Sequence, residues 1–277
     1  MLTRSVATLV DATPDLPEDG QLVINIANEI KEEMKDRVDL KVGIHPIFGF
    51  KEEERWEVYR EAAKKCDFLG GLPEKDEPQT DGRIGFKQHL KRILLLGQEL
   101  KKPVHFHVDQ ANDPKETGTE TLIEAVEWIG APEIEGESSP TVWAVHTISP
   151  SAYSDKRFTK LMDGLLKNNI GVICCPSAAI SMRQLRPTKS PTHNSIARVL
   201  EMLEAGVYMR VGTDNICDVF IPSSDGCILT EIKVLSNAIR FYIINVLAKL
   251  AAGKKLNEMD KEMIRRSLAA DQEFFRM

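Results

Sequence analysis

Short apolar runs alternate along this chain with segments whose apolar residues recur at helical spacing. Val6, Ala7, Thr8, Leu9 and Val10 run without a polar break other than threonine and close on Asp11, which predicts a strand. Leu22, Ile24, Ile26, Ala27, Ile30 and Met34, with acids and lysines between them, predict a helix over 22–34. The same reasoning predicts further strands over 38–44, 68–71, 103–108, 141–146, 170–175 and 207–211. Helices are predicted over 52–65, 84–100, 119–129, 156–167 and 196–205, and they dominate from Leu229 onward. The segment 187–191, with Pro187 and Pro191, is the most loop-like stretch.

Strand–helix alternation of this kind implies parallel strands joined by right-handed crossovers. The strands read as continuous apolar runs, as expected where helices cover the sheet. An open doubly wound sheet and a barrel both fit. No Gly-x-Gly-x-x-Gly or Walker-type loop follows any strand, which weakens the nucleotide-binding form. The expected class is α/β with a TIM-type barrel, seven strands being recognisable, and 1–277 reads as a single domain.

In parallel α/β folds chemistry gathers where strands end. Three predicted strand ends carry ionisable groups: His105, His107 and Asp109 with Gln110; His146 with Thr147; and Asp214 with Asn215. Residues two apart on a strand share a face, so His105, His107 and Asp109 form one row. Imidazole and carboxylate suit zinc. Each has a plainer reading. A histidine in an apolar strand is more often a hydrogen-bonded core residue, and Asp109 and Asp113 could cap the helix that follows. His45 follows the second strand and would line the same end, whereas His193 precedes a helix and reads as surface. Ser223 and Ser224 resemble a helix cap more than a nucleophile, having no base beside them.

Composition narrows the classes. The net charge of −6 and the absence of a basic stripe argue against nucleic acid as a partner. Five cysteines occur, without a Cys-x-x-Cys pair, and Cys174 and Cys175 are adjacent. Reduced thiols in a cytoplasmic protein are expected, with Cys174 and Cys175 in the core and Cys217 and Cys227 on a loop near the strand ends. No apolar run approaches the length of a membrane span, and the first residues lack the apolar core and cleavage site of a signal peptide.

The stretch from His107 to Asp113, then Val145, His146 and Thr147, then Leu203 to Gly206 followed by Val211, Gly212, Thr213, Asp214, Asn215, Asp218 and Pro222, resembles the amidohydrolase superfamily. The likeness is to its branch of cytosine deaminase-like and N-isopropylammelide amidohydrolase-like enzymes, and it runs from about residue 4 to about residue 230. It implies a (β/α)8 barrel holding one divalent ion, zinc or iron, that acts on C–N bonds of a small N-heterocycle or amide. By position it implies His107 as a metal ligand, His146 as the histidine assisting proton transfer, Asp214 as metal ligand and proton carrier, and Asp218 near the substrate. Two departures stand out. The family's opening strand with its His-x-His pair has no counterpart here, nor has its small β-domain. Gln110 also replaces the glutamate three residues after the metal histidine, and an amide cannot shuttle a proton.

His105 could partly compensate as a third ligand beside His107 and Asp214, although residues two apart on a strand lie roughly 6–7 Å apart. The expected activity is hydrolysis at a C–N bond, with His146 and Asp214 catalytic and Gln110 and Asp218 orienting a small-molecule substrate. The rival is a truncated or degenerate barrel without catalysis. An incompletely paired strand edge would also favour a homo-oligomer.

Overall fold

The computed structural model describes residues 4–77, 82–181 and 196–274. Residues 187–191 and His193 lie outside them. Among the described residues seven strands form one parallel sheet in the order β1-β2-β3-β4-β5-β6-β7. They are β1 (Ser5–Asp11), β2 (Asp39–His45), β3 (Phe68–Gly71), β4 (Val104–Val108), β5 (Val142–His146), β6 (Ile170–Cys174) and β7 (Met209–Val211). A doubly wound sheet reverses its strand order at a switch point. This one does not, so the open alternative drops out and barrel-type winding remains.

The helices are α1 (Gln21–Met34), α2 (Glu53–Ala63), α3 (Phe86–Leu100), α4 (Gly118–Ile129), α5 (Asp155–Lys167), α6 (Pro176–Ser181), α7 (Val199–Ala205), α8 (Ile228–Ala238), α9 (Ile244–Ala251) and α10 (Glu258–Phe274). Most sit within a residue or two of their predicted bounds. α6 is the exception. It starts where a strand was expected to end, because Pro176 is pre-set for a first helical position and Ala179 N–H donates to Cys175 O at 2.9 Å. Ser223 and Ser224 do not cap the helix after them. Asp225 holds that end of the chain, accepting from Cys227 N–H at 2.9 Å and from the Thr230 hydroxyl at 3.0 Å.

The chain groups into two compact units, residues 3–108 with 120–144 and residues 109–119 with 145–277. In the first, β1 and β2 pair in register from Ser5↔Asp39 to Asp11↔His45, which sets an aspartate beside a histidine at the strand ends. Ile24, Ile44, Leu69, Leu90, Ile93, Leu94 and Phe106 are fully buried around them. Phe50 lies against Trp56, Tyr59 and His89, and the Tyr59 hydroxyl donates to Gly70 O at 2.7 Å.

A buried pair fixes the loops that leave β2 and β3. Asp76 Oδ2 lies 2.7 Å from His89 Nδ1, and neither side chain is exposed. Leu72 N–H donates to His89 Nε2 at 3.0 Å, so that nitrogen carries no proton and Nδ1–H is the one given to Asp76. Phe50 N–H reaches both Asp76 oxygens, at 3.1 and 3.0 Å. Burial holds the His89 imidazole below its ordinary pKa.

In the second unit Phe158, Leu165, Val172, Met202, Leu235, Phe241 and Ile264 form the interior. α10 opens with a reciprocal cap: Asp260 N–H donates to Asn257 Oδ1 at 3.0 Å and Asn257 N–H to Asp260 Oδ2 at 2.9 Å. No helix among the described residues is long and apolar enough to cross a membrane.

Candidate functional site

The strand-end residues fall into two groups, one in each unit. In the first unit β4 alternates as its period predicts. Val104, Phe106 and Val108 are fully buried on one face, and His105 and His107 share the other, half-buried. The two histidines keep different company. The His105 ring centroid is 4.4 Å from that of Phe68 and 6.1 Å from that of Trp143, so it sits among aromatic rings. The His107 ring lies 5.0 Å from His45, tilted by 45°. His45 Nδ1 is 3.2 Å from Asp11 Oδ1, an arrangement that follows from the register of β1 on β2.

In the second unit His146 ends β5 and Asp214 stands three residues beyond β7. His146 Nε2 is 3.8 Å from Asp214 Oδ2, with side-chain exposures of 5% and 24%. The Cys175 thiol, just past β6, joins them: one donor atom from each of the three residues lies within 4.8 Å of the others. Burial pushes the Cys175 thiol pKa well up, and the charge of Asp214 adds to this. On its other side Cys175 packs with Val145, Ala178 and Ile221. The backbone is strained here. His146, Thr147 and Asp214 have φ of 75°, 51° and 58°, a region side chains other than glycine seldom adopt. Such conformations persist where surrounding structure enforces them, and they concentrate at functional sites.

The backbone engages two further acids of these strand ends. Asp109 is a cap. Its oxygens accept from Gly118 N–H at 2.7 Å and Thr119 N–H at 2.8 Å at the start of α4, while its carbonyl accepts from Ile148 and Ser149 N–H. It ties the turn after β5 to the next helix and so holds the backbone just beyond His146. Asp113 caps locally through Lys115 N–H at 2.9 Å. Asp218 closes its own loop: Oδ1 accepts from Phe220 and Ile221 N–H, both at 2.9 Å, and Oδ2 from the Asn215 amide. Its carboxyl is held below the usual range, first by the Ile221 N–H. Gln110 is half-buried at the start of the second unit.

Two features escaped the sequence. Cys175 is buried as expected, but its approach to His146 and Asp214 was not legible, since it depends on residues far apart in the chain. The Asp11–His45 pair had a usable signal: both residues end consecutive parallel strands, and in-register ends sit side by side.

The second group fits a metal ion. It offers an imidazole nitrogen, a sulfur and a carboxylate oxygen, the three donor types zinc takes from proteins. The fully buried Thr147 hydroxyl beside it has no hydrogen-bond partner among the described residues.

No protein-family model matches the chain. An uncharacterised protein of Haemophilus influenzae is 28% identical over 199 residues, which is 71% of this chain and 66% of that protein; the chain thus spans about two thirds of its relative's length. Among solved structures, 5-methylcytosine deaminase from Klebsiella pneumoniae with 5-fluorocytosine superimposes with a TM-score of 0.75 at 23% identity, over 95% of this chain and 67% of that one. N-isopropylammelide isopropylaminohydrolase from Burkholderia multivorans gives 0.70 at 15% identity, over 91% and 58%. Atrazine chlorohydrolase from Arthrobacter aurescens, complexed with zinc, gives 0.52 at 12% identity, over 90% and 51%. The α/β barrel-type fold expected from the residues, with seven recognisable strands, is therefore the one observed, and it is shared with these solved structures.

Proposed function

We propose that this chain acts as a metal-dependent hydrolase that releases an amine or ammonia from a C–N bond of a small N-heterocycle or amide. The observation that carries the reading is the approach of His146 to Asp214, 3.8 Å between Nε2 and Oδ2, on strained backbone at the ends of β5 and β7. The shared fold with the Klebsiella and Burkholderia enzymes supports the reaction class.

A bound divalent ion, zinc or iron, supplies Lewis acidity and brings the pKa of a water toward neutrality. The chain's own residues do the rest. Asp214, with Cys175 beside it, would hold the ion, and its carboxylate would take the proton of the attacking water. His146 would then serve not as a ligand but as the donor of a hydrogen bond to the oxygen that gains charge at the substrate carbon, the role of an oxyanion donor. For His107 and His105 on β4 the resemblance alone is the ground for proposing a ligand role. Gln110 presents an amide that can both donate and accept, suited to a ring edge but not to moving a proton. Asp218 contributes by shaping the loop that faces the substrate.

The test is the purified full chain, loaded in turn with zinc and iron and assayed for ammonia or amine release from cytosine-type and ammelide-type ring amines. The expected result is about one divalent ion per chain and release that His107→Ala abolishes. Absence of both ion and release, with behaviour unaltered by His107→Ala, overturns the reading.

A further inference from the structure

We infer that Glu231 is a positioning residue for the ion site of the second unit: by holding the first turn of α6 it sets where the Cys175 thiol stands relative to Asp214. The inference rests on the hydrolase reading, in which Asp214 and Cys175 hold the ion. All of these residues belong to one compact unit.

Cys175 lies between two anchors. On the upstream side Cys174 ends β6, pairs in register with Val211, and accepts from Gly212 N–H at 2.8 Å. The thiol rests against that same glycine, where a Cβ would lie 3.2 Å from Cys175 Sγ. Asp214 follows two residues later, so the β6–β7 ladder fixes one end of the separation between sulfur and carboxylate. On the downstream side α6 begins at Pro176, and its second residue, Ser177, donates its N–H to Glu231 Oε2 at 2.9 Å. The Cys175 carbonyl accepts from Ala179 N–H at 2.9 Å, so the turn that Glu231 grips is the turn that Cys175 opens.

Glu231 reaches this point from α8, 54 residues further along the chain. It is 1% exposed. A contact between two helices needs no carboxyl there, since an apolar side chain fills such a space without the cost of burying a charge. Burial pushes the Glu231 pKa up, and the N–H and hydroxyl of Ser177 pull it back. Residues that orient a metal ligand without touching the ion typically change metal affinity about 10–100-fold.

The experiment is cobalt(II) titration of the full chain and of Glu231→Gln, Glu231→Leu and Cys175→Ser, with apo-protein melting recorded for each. The readouts are affinity and the near-ultraviolet thiolate-to-cobalt charge-transfer band. The native chain should show the band and Cys175→Ser should lack it. Glu231→Leu should bind cobalt about 10–100-fold more weakly, with the band shifted or lost. Glu231→Gln, whose amide oxygen still accepts from Ser177 N–H, should restore both. If Glu231→Leu lowers the melting temperature and leaves band and affinity native, the inference falls and the hydrolase reading stands. A native chain that binds cobalt without the band removes Cys175 from the ion, and the inference with it. If the native chain takes up no cobalt, both fall. Should Glu231→Leu fail to fold, Glu231→Asp, which draws the carboxyl back from Ser177 by one methylene, decides by the same two readouts.

Discussion

His146 Nε2 faces Asp214 Oδ2 across 3.8 Å, and both residues take up a left-handed backbone to do so, with φ of 75° and 58°. Each strained residue costs on the order of 1–3 kcal/mol. Two such residues whose side chains meet are best explained by what the side chains do together.

Asp214→Asn keeps the shape of that side chain and removes its charge. With proton transfer worth about 10²–10⁴-fold, amine release by the metal-loaded chain should fall at least a hundredfold while the melting temperature of the apo-protein stays within a few degrees. Steady-state kinetics beside thermal unfolding check this. Undiminished turnover removes Asp214 from the reaction.

Gly70→Ala should destabilise the first unit. The added Cβ would meet Ile44 O at 2.6 Å and Leu9 Cδ2 at 2.8 Å. Contacts with backbone cannot be relieved by a rotamer change, and overpacking of this kind costs about 1–3 kcal/mol. Urea unfolding of the variant should show the midpoint lowered at unchanged slope.

Acid should weaken the protein through His89. Burial lowers the folded-state pKa of this ring, and protonation of Nε2 would break the bond from Leu72 N–H. The contribution is therefore intact above the unfolded pKa of about 6.5. It is lost as pH falls from there through the folded value, because the unfolded chain binds the proton first. Unfolding free energy measured at about pH 7.5 and about pH 5.5 should drop more for the native chain than for His89→Gln. Equal drops would show that the ring does not titrate on unfolding.

The cysteines should separate by reactivity. Cys66, Cys174 and Cys175 are buried, and burial pushes Cys66 to about 11 and Cys174 to about 12. Cys217 is exposed. Since the thiolate is the reactive form, iodoacetamide followed by peptide mass spectrometry should find Cys217 modified first in the native protein. The three buried thiols should react only on unfolding. Early labelling of Cys175 would contradict its burial beside Asp214.

Local pattern alone determined a great deal. Apolar runs such as Val6–Val10 and the helical spacing from Leu22 to Met34 declared the seven strands, most helices and the parallel class, because burial on both faces and one-sided burial leave different periods in a sequence. The pairing of His105 with His107 on one face was equally legible, since a strand's geometry repeats every two residues. What only the tertiary structure decided is company. The row from His105 to His107 looked uniform, yet packing put one ring against Phe68 and Trp143 and the other against His45. Asp109 stood in the same row and became a helix cap. Cys175 looked like core and came to lie beside His146 and Asp214. The consecutive strand order also emerged only in the fold, because alternation fixes that strands are parallel, while the order in which they pair depends on contacts between residues far apart in the chain.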